Sequence, residues 1–491
     1  MASFCLYALF YSFPIFLLLG VRTACSHESK DGLLRLEVKR ASGSFEALVA
    51  TDIRRWPFRR NLTLDNPLKQ NGRTVGWQEF LLHNNARYKS VSLGGNVDPV
   101  GFYYIDLEIG GQKTSVLLET GSSNFIVPIT GCSSCSPEGM IDISRSSSAQ
   151  IVHCDSSLCT PHTCDSNLCL TGICSTTTDA CCIETHGVSG CFFAFTFFSG
   201  EALAGVYFTD IVQVAGISSN ATIGGILTNS TDFPFITVPG RLGMAFKDDS
   251  CIPSCATPLF DELRKKNNLS NIFSLALAFE GGSLILGGID SSLYSGEIHY
   301  VPLRHGAKSL LYDVHCNGIR IGGGDLIPTS AGATIQSGQN LLGLDSKYYK
   351  HLKEYFQTNY CNLPHVCSNS SSSDTIFSGG EGHCFLFFSS DIEKFPTISI
   401  ELTSSFRINL EGKDYMLPLP RNNRASKSRA TIAGDSRSST FELGTYCFSI
   451  VEFPGLESSE GYSMILGNVV LVNHYIVFNR ENYSVGFADL I

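Results

Sequence analysis

The chain reads as an all-β protein of two lobes related by an internal duplication, and three observations carry that reading. Forty-six of its 491 residues are glycine, and only 16% are charged. Short Val, Ile, Phe and Tyr runs punctuated by Gly, Ser and Asn recur from about residue 100 onward, a composition of many strands and tight turns with few long helices. The strand and turn Val116-Leu117-Leu118-Glu119-Thr120-Gly121 return as Ala333-Thr334-Ile335-Gln336-Ser337-Gly338, with Gln336 standing 217 residues after Glu119. Helix and apolar-Gly elements follow each copy, so the repeat implies a pseudo-twofold axis with the two turns facing each other. The length also exceeds what one core fills, since single cores stop growing near ~250 to 300 residues.

Taken in order, residues 1–25 read as a signal peptide: an aromatic and aliphatic run over 6–21 leads to small residues around Ala24, although no basic stretch precedes it. The run is short and interrupted by Pro14, which argues against a stable membrane span. Residues 26–95 form a basic extension. Between Glu28 and Lys89 there are 12 Lys and Arg against 7 Asp and Glu, a local charge of about +5 in a chain of -10. A propeptide lying on an acidic body and a solvated tail both fit that charge. Arg54-Arg55 and Arg59-Arg60 are open to the same two readings, as a processing site or as a solvated face.

The first lobe is expected over 96–303. A strand over 102–109 ends in Gly110-Gly111, and a second strand over 113–118 delivers Glu119 to the tip of the hairpin. Ten cysteines crowd into 132–191. A disulfide knot fits an exported chain, whereas zinc fits less well, because repeated C-x-x-C pairs are missing and His153, His162 and His186 are scattered. Residues 191–210 read as two strands around Ser199-Gly200. Ile223-Gly224-Gly225 and Arg241-Leu242-Gly243-Met244 read as short apolar elements ending in Gly. A helix is expected over 258–266, closed by Asn267-Asn268, and then a hairpin of 273–279 with 283–288 across Gly281-Gly282. The second lobe, 304–491, repeats the plan: a hairpin at Gly322-Gly323-Gly324, the Gln336 turn, a helix over 347–356, and Ile465-Leu466-Gly467.

The acidic balance argues against nucleic acid as a partner. Six Asn-x-Ser/Thr sequons, at Asn61, Asn220, Asn229, Asn268, Asn369 and Asn482, are compatible with a secreted or lumenal glycoprotein. No Gly-x-Ser-x-Gly elbow and no His-Glu-x-x-His helix is present, and no cofactor or metal is called for.

From about Phe102 to Asp489 the chain resembles the pepsin-like aspartic proteases (peptidase A1). The features that match in order are Glu119-Thr120-Gly121-Ser122-Ser123, the apolar-Gly element of each lobe, and Leu284-Ile285-Leu286-Gly287-Gly288-Ile289-Asp290. Gln336-Ser337-Gly338 and the run from Ile465-Leu466-Gly467-Asn468 to Phe478-Asn479 complete the set. Ser146-Ser147-Ser148 ahead of Val152-His153-Cys154-Asp155-Ser156-Ser157-Leu158-Cys159 is similar to the nepenthesin-like and plasmepsin V-like branch. The resemblance implies a bilobal fold and a Cys384 to Cys447 bridge. Cys251 with Cys255 and Cys361 with Cys367 are plausible short bridges, which leaves Cys316 as the odd thiol.

It also implies a dyad of aspartates, one per turn, sharing a proton so that one acts as base toward water while the other polarises the scissile carbonyl. Glu119 and Gln336 stand at those positions, and both depart from the pattern. Glu119 keeps the charge but carries it one methylene further out. Gln336 has no titratable proton to trade. Gln339 replaces a usual hydroxyl, and Phe197, aligned on the flap beside Ser199 and Gly200, replaces a usual tyrosine. The expectation is a monomeric homologue, inactive or impaired, that keeps Thr120, Gly121, Ser122, Ser337 and Gly338 around a cleft for a polypeptide or a secreted protein. An active acid endopeptidase with a non-standard dyad is the alternative.

Overall fold

The computed structural model describes residues 68–70, 73–75, 88–96, 102–132, 134–159, 182–185, 188–196, 202–229, 238, 240–251, 256–367, 374–378, 384–419 and 443–491. The signal-like stretch, the basic segment before residue 68, the turn with Phe197, Ser199 and Gly200, and Cys255 lie outside the described residues.

The fold is all-β and bilobal, and the duplication appears in its sheet topology. In the first half, the strand Gln112–Glu119 runs antiparallel to Tyr103–Ile109 and parallel to Gly240–Gly243. Gly240–Gly243 is antiparallel to Phe125–Pro128, which in turn runs parallel to Ile217–Asn229. In the second half, Ala333–Ile335 runs antiparallel to Asp313–Val314 and parallel to Met464–Leu466. Met464–Leu466 is antiparallel to Leu342–Asp345, which runs parallel to Ile450–Phe453. Strand for strand the two halves follow one plan, and in each the central strand leads into the turn at Glu119 or Gln336.

The halves share a platform of strands in the order Lys89–Asn96, Glu280–Leu286, Ile272–Leu277, His474–Asn479, Ser484–Leu490 and Tyr294–Pro302. Lys89–Asn96, upstream of the expected start of the body, therefore lies within this sheet. The platform packs through aromatic rings: Phe273 stacks on Phe478 with centroids 4.5 Å apart, and Tyr312 meets Phe478 edge-on at 4.6 Å.

Most expected elements are present. Gly110 and Gly111, at φ 54° and 77°, make the first hairpin turn. The helix expected over 258–266 is Leu259–Asn267, ended by Asn268 in the left-handed region at φ 53°. The helix expected over 347–356 is longer, Ser346–Asn359; the Asp345 side chain accepts from the Lys347 N–H and caps its start.

The next hairpin turns across 278–281: Leu277 pairs with Gly282, and the Ala278 N–H donates to the carbonyl of Gly281, which lies at φ 69°. Gly282 lies at φ +148°, beside a register shift, and a Cβ there would come within 2.2 Å of the Ala276 carbonyl oxygen. Gly281 thus closes the turn, and Gly282 permits the close approach beside the bulge.

In the Cys-rich stretch Cys132 bridges Cys135, Cys154 bridges Cys182 and Cys159 bridges Cys191. Phe193 is fully buried and packs on Tyr207 at 4.9 Å within this disulfide-lined cluster. Cys361–Cys367 and Cys384–Cys447 are also bridged, and Cys316 is a buried free thiol. No helix among the described residues is long and apolar enough to cross a membrane.

Candidate active site

Each turn follows a strand whose last residues are buried, so the chain leaves the core with its polar groups already enclosed. They satisfy one another across the pseudo-twofold axis. The Thr120 N–H donates to Ser337 Oγ at 3.2 Å, and the Ser337 N–H donates to Thr120 Oγ1 at 2.9 Å. The Thr120 hydroxyl then donates to the Ile335 carbonyl at 2.8 Å, and the Ser337 hydroxyl to the Leu118 carbonyl at 2.7 Å. Thr120 and Ser337 are 0% and 1% exposed, so each bond also spares a polar group that would otherwise be buried without a partner.

The glycines permit this approach. A Cβ on Gly121 would lie 2.9 Å from Gln336 Cδ, and one on Gly338 would lie 2.8 Å from Glu119 Cγ. Each turn's long side chain therefore rests on the glycine of the opposite turn. The structure brings Glu119, Thr120, Gly121, Ser122, Gln336, Ser337 and Gly338 together as the sequence leads one to expect. Gln339 joins them through its backbone, its N–H donating to the Gln336 carbonyl and its carbonyl accepting from the Asn468 N–H.

The environment of Glu119 is new. Its carboxylate is buried, with Oε1 taking a 2.6 Å charge-assisted bond from Arg241 Nη1 and Oε2 taking a 2.8 Å bond from the Ser122 hydroxyl. Arg241 lies on Gly240–Gly243, whose parallel register sets it opposite Leu117. In the sequence that strand reads as a short apolar element. The available signal was the arginine itself, the one charged residue in a four-residue strand next to the acid.

Gln336 is half-buried and interacts with the Tyr462 hydroxyl. Burial pushes that phenol well above its ordinary range, and the amide offsets part of the rise. Asn468 Nδ2 donates to the Ser337 carbonyl at 2.9 Å, fixing the second turn from behind. On the first turn the Ser123 hydroxyl donates to Asp249 Oδ2 at 2.9 Å. Burial pushes the Asp249 carboxyl up, against the lowering effect of its bonds from Ser123. No cluster of His, Cys, Asp and Glu with metal-holding geometry occurs among the described residues.

Two paired strand-and-turn units joined by reciprocal hydroxyl bonds agree with a family model of eukaryotic aspartyl proteases that matches residues 102–490. The chain belongs to that family. Among its curated relatives, pepsin II-1 of Oryctolagus cuniculus is 26% identical over 450 residues, covering 89% of this chain and 94% of that protein. Gastricsin of Callithrix jacchus is 25% identical, covering 88% and 94%, and pepsin A of Bos taurus is 25% identical, covering 89% and 98%. The similarity therefore spans nearly the whole of each aspartyl protease compared.

Proposed function

We propose that this aspartyl protease relative is a secreted or lumenal monomer that holds a polypeptide or protein ligand in its cleft without cleaving it. In this reading Glu119 and Gln336 occupy the two dyad positions, and the turn between Thr196 and Ala202 is the flap. The observation that carries it is the neutral amide of Gln336, resting on Gly121 across from Glu119. Peptide hydrolysis by a carboxyl pair needs one partner to accept a proton from water while the other lends one to the carbonyl oxygen. Gln336 can donate a hydrogen bond to a carbonyl but has no proton to transfer at working pH. A single carboxylate leaves the cycle without its acid.

The scaffold around that amide supports binding. The reciprocal Thr120 and Ser337 bonds keep the two turns in register whatever the fate of the chemistry. The test is incubation of the purified protein with casein and a fluorogenic peptide library across acidic pH, with binding of the same peptides followed by anisotropy. Saturable binding without cleavage is the expected result. Cleavage by the unaltered protein, lost in Gln336→Ala, would overturn the proposal and restore an active endopeptidase.

A further inference from the structure

Glu119 reads in the sequence as a catalytic acid one methylene too long, but its surroundings give that methylene a use. The carboxylate's two oxygens are divided between Arg241 Nη1 at 2.6 Å and Ser122 Oγ at 2.8 Å. The pair is enclosed, with side-chain exposures of 8% for Glu119 and 16% for Arg241. Its Cγ lies against Gly338 of the opposite turn, so the extra length is accommodated between the turns without displacing either. An aspartate at 119 would retract the carboxylate by about one C–C bond, roughly 1.5 Å, which breaks the direct bond but leaves the guanidinium close enough to attract the charge.

We infer that Arg241 is a second block on this site, separate from Gln336: it holds Glu119 as a structural anion. The inference rests on the reading that Glu119 and Gln336 occupy the dyad positions, and it adds why one lesion would not be repaired by mending the other. A carboxyl pair works by sharing one proton, which requires that one member stay protonated. A guanidinium bonded at 2.6 Å to one carboxylate oxygen fixes how that carboxylate is turned and takes up an acceptor position that the shared proton needs. It also occupies the carboxylate oxygen that would have to draw a proton from water. Removing Arg241 alone leaves the Glu119 carboxylate buried without its guanidinium, which destabilises, whereas removing both is better tolerated.

Two comparisons test this. The first sets Glu119→Asp/Gln336→Asp against the same pair with Arg241→Met added, assayed by casein cleavage at acidic pH and by binding of a pepstatin-type inhibitor. The added substitution is expected to raise cleavage by at least about tenfold, within the roughly hundredfold that a misplaced catalytic group can cost. Equal activity in the two variants would overturn the inference.

The second comparison needs no activity. Urea midpoints of Glu119→Gln, Arg241→Met and their combination should be non-additive, the combination regaining most of what each single change loses. Additive losses would overturn the structural pairing even if every variant is catalytically silent. Cleavage by the unaltered protein would sink the non-catalytic reading but leave this second comparison decisive for Arg241.

Discussion

Thr120 and Ser337 show how much a single hydroxyl carries here. Thr120 Oγ1 both donates to the Ile335 carbonyl and accepts from the Ser337 N–H, all in buried surroundings. Thr120→Val keeps the shape but strands both partners, so a loss of about 2 to 4 kcal/mol is expected in urea unfolding. Asp249 makes a prediction of opposite sign at neutral pH. Its carboxyl is raised from the ordinary value of 3.8, first by burial, so the folded chain holds this proton to higher pH than the unfolded chain does. Stability from the group is then full below 3.8 and is lost as pH rises through the raised folded value. Asp249→Asn keeps an acceptor for Ser123 and removes the titration. It should be more stable than the parent at neutral pH, with the gap closing on acidification, as thermal melts across that range would show.

At the scale of elements, strands whose apolar residues alternate were legible because burial imposes a period of two, and Tyr103–Ile109 buries alternate residues in that way. The turns at Glu119 and Gln336 were legible because a close approach across an axis demands glycine. Less visible were features set by pairing partners far along the chain. Gly281-Gly282 reads as a turn, but only the register of Lys89–Asn96 shows the bulge beside it, and the stretch with Arg241 reads as an apolar element until its parallel pairing sets Arg241 opposite Leu117, on the strand that ends in Glu119. The Cys384–Cys447 bridge belongs to this scale: the two cysteines face each other in the antiparallel pair Cys384–Phe388 and Leu443–Phe448, closing a loop with a sequence separation of 63. Chain-entropy reasoning assigns about 4 kcal/mol to a loop of that size. Replacing both cysteines with serine should lower the guanidinium midpoint accordingly while leaving the Thr120 and Ser337 contacts, on other strands, in place.

For the whole molecule, the platform decides whether the lobes are separable. The C-terminal strand His474–Asn479 pairs with Ile272–Leu277, and Ser484–Leu490 pairs with Tyr294–Pro302, so the end of the chain completes a sheet begun in the first half. Tyr312 adds a bond from the second half into the first, its hydroxyl donating to the Met244 carbonyl at 2.6 Å, and Arg480 reaches Asp261 at 3.0 Å from a side chain only 4% exposed. A first half ending at residue 303 would expose the unpaired edge of Ile272–Leu277, and a second half starting at 304 would carry two strands with nothing to pair against. Both halves expressed alone are therefore expected to be insoluble, and co-expression should recover a soluble complex. Calorimetry of the intact body should give one cooperative transition, with calorimetric and van't Hoff enthalpies in agreement. Two resolved transitions, or a soluble and folded 304–491 fragment, would show that the lobes are stable units and that the shared platform is only a docking surface between them.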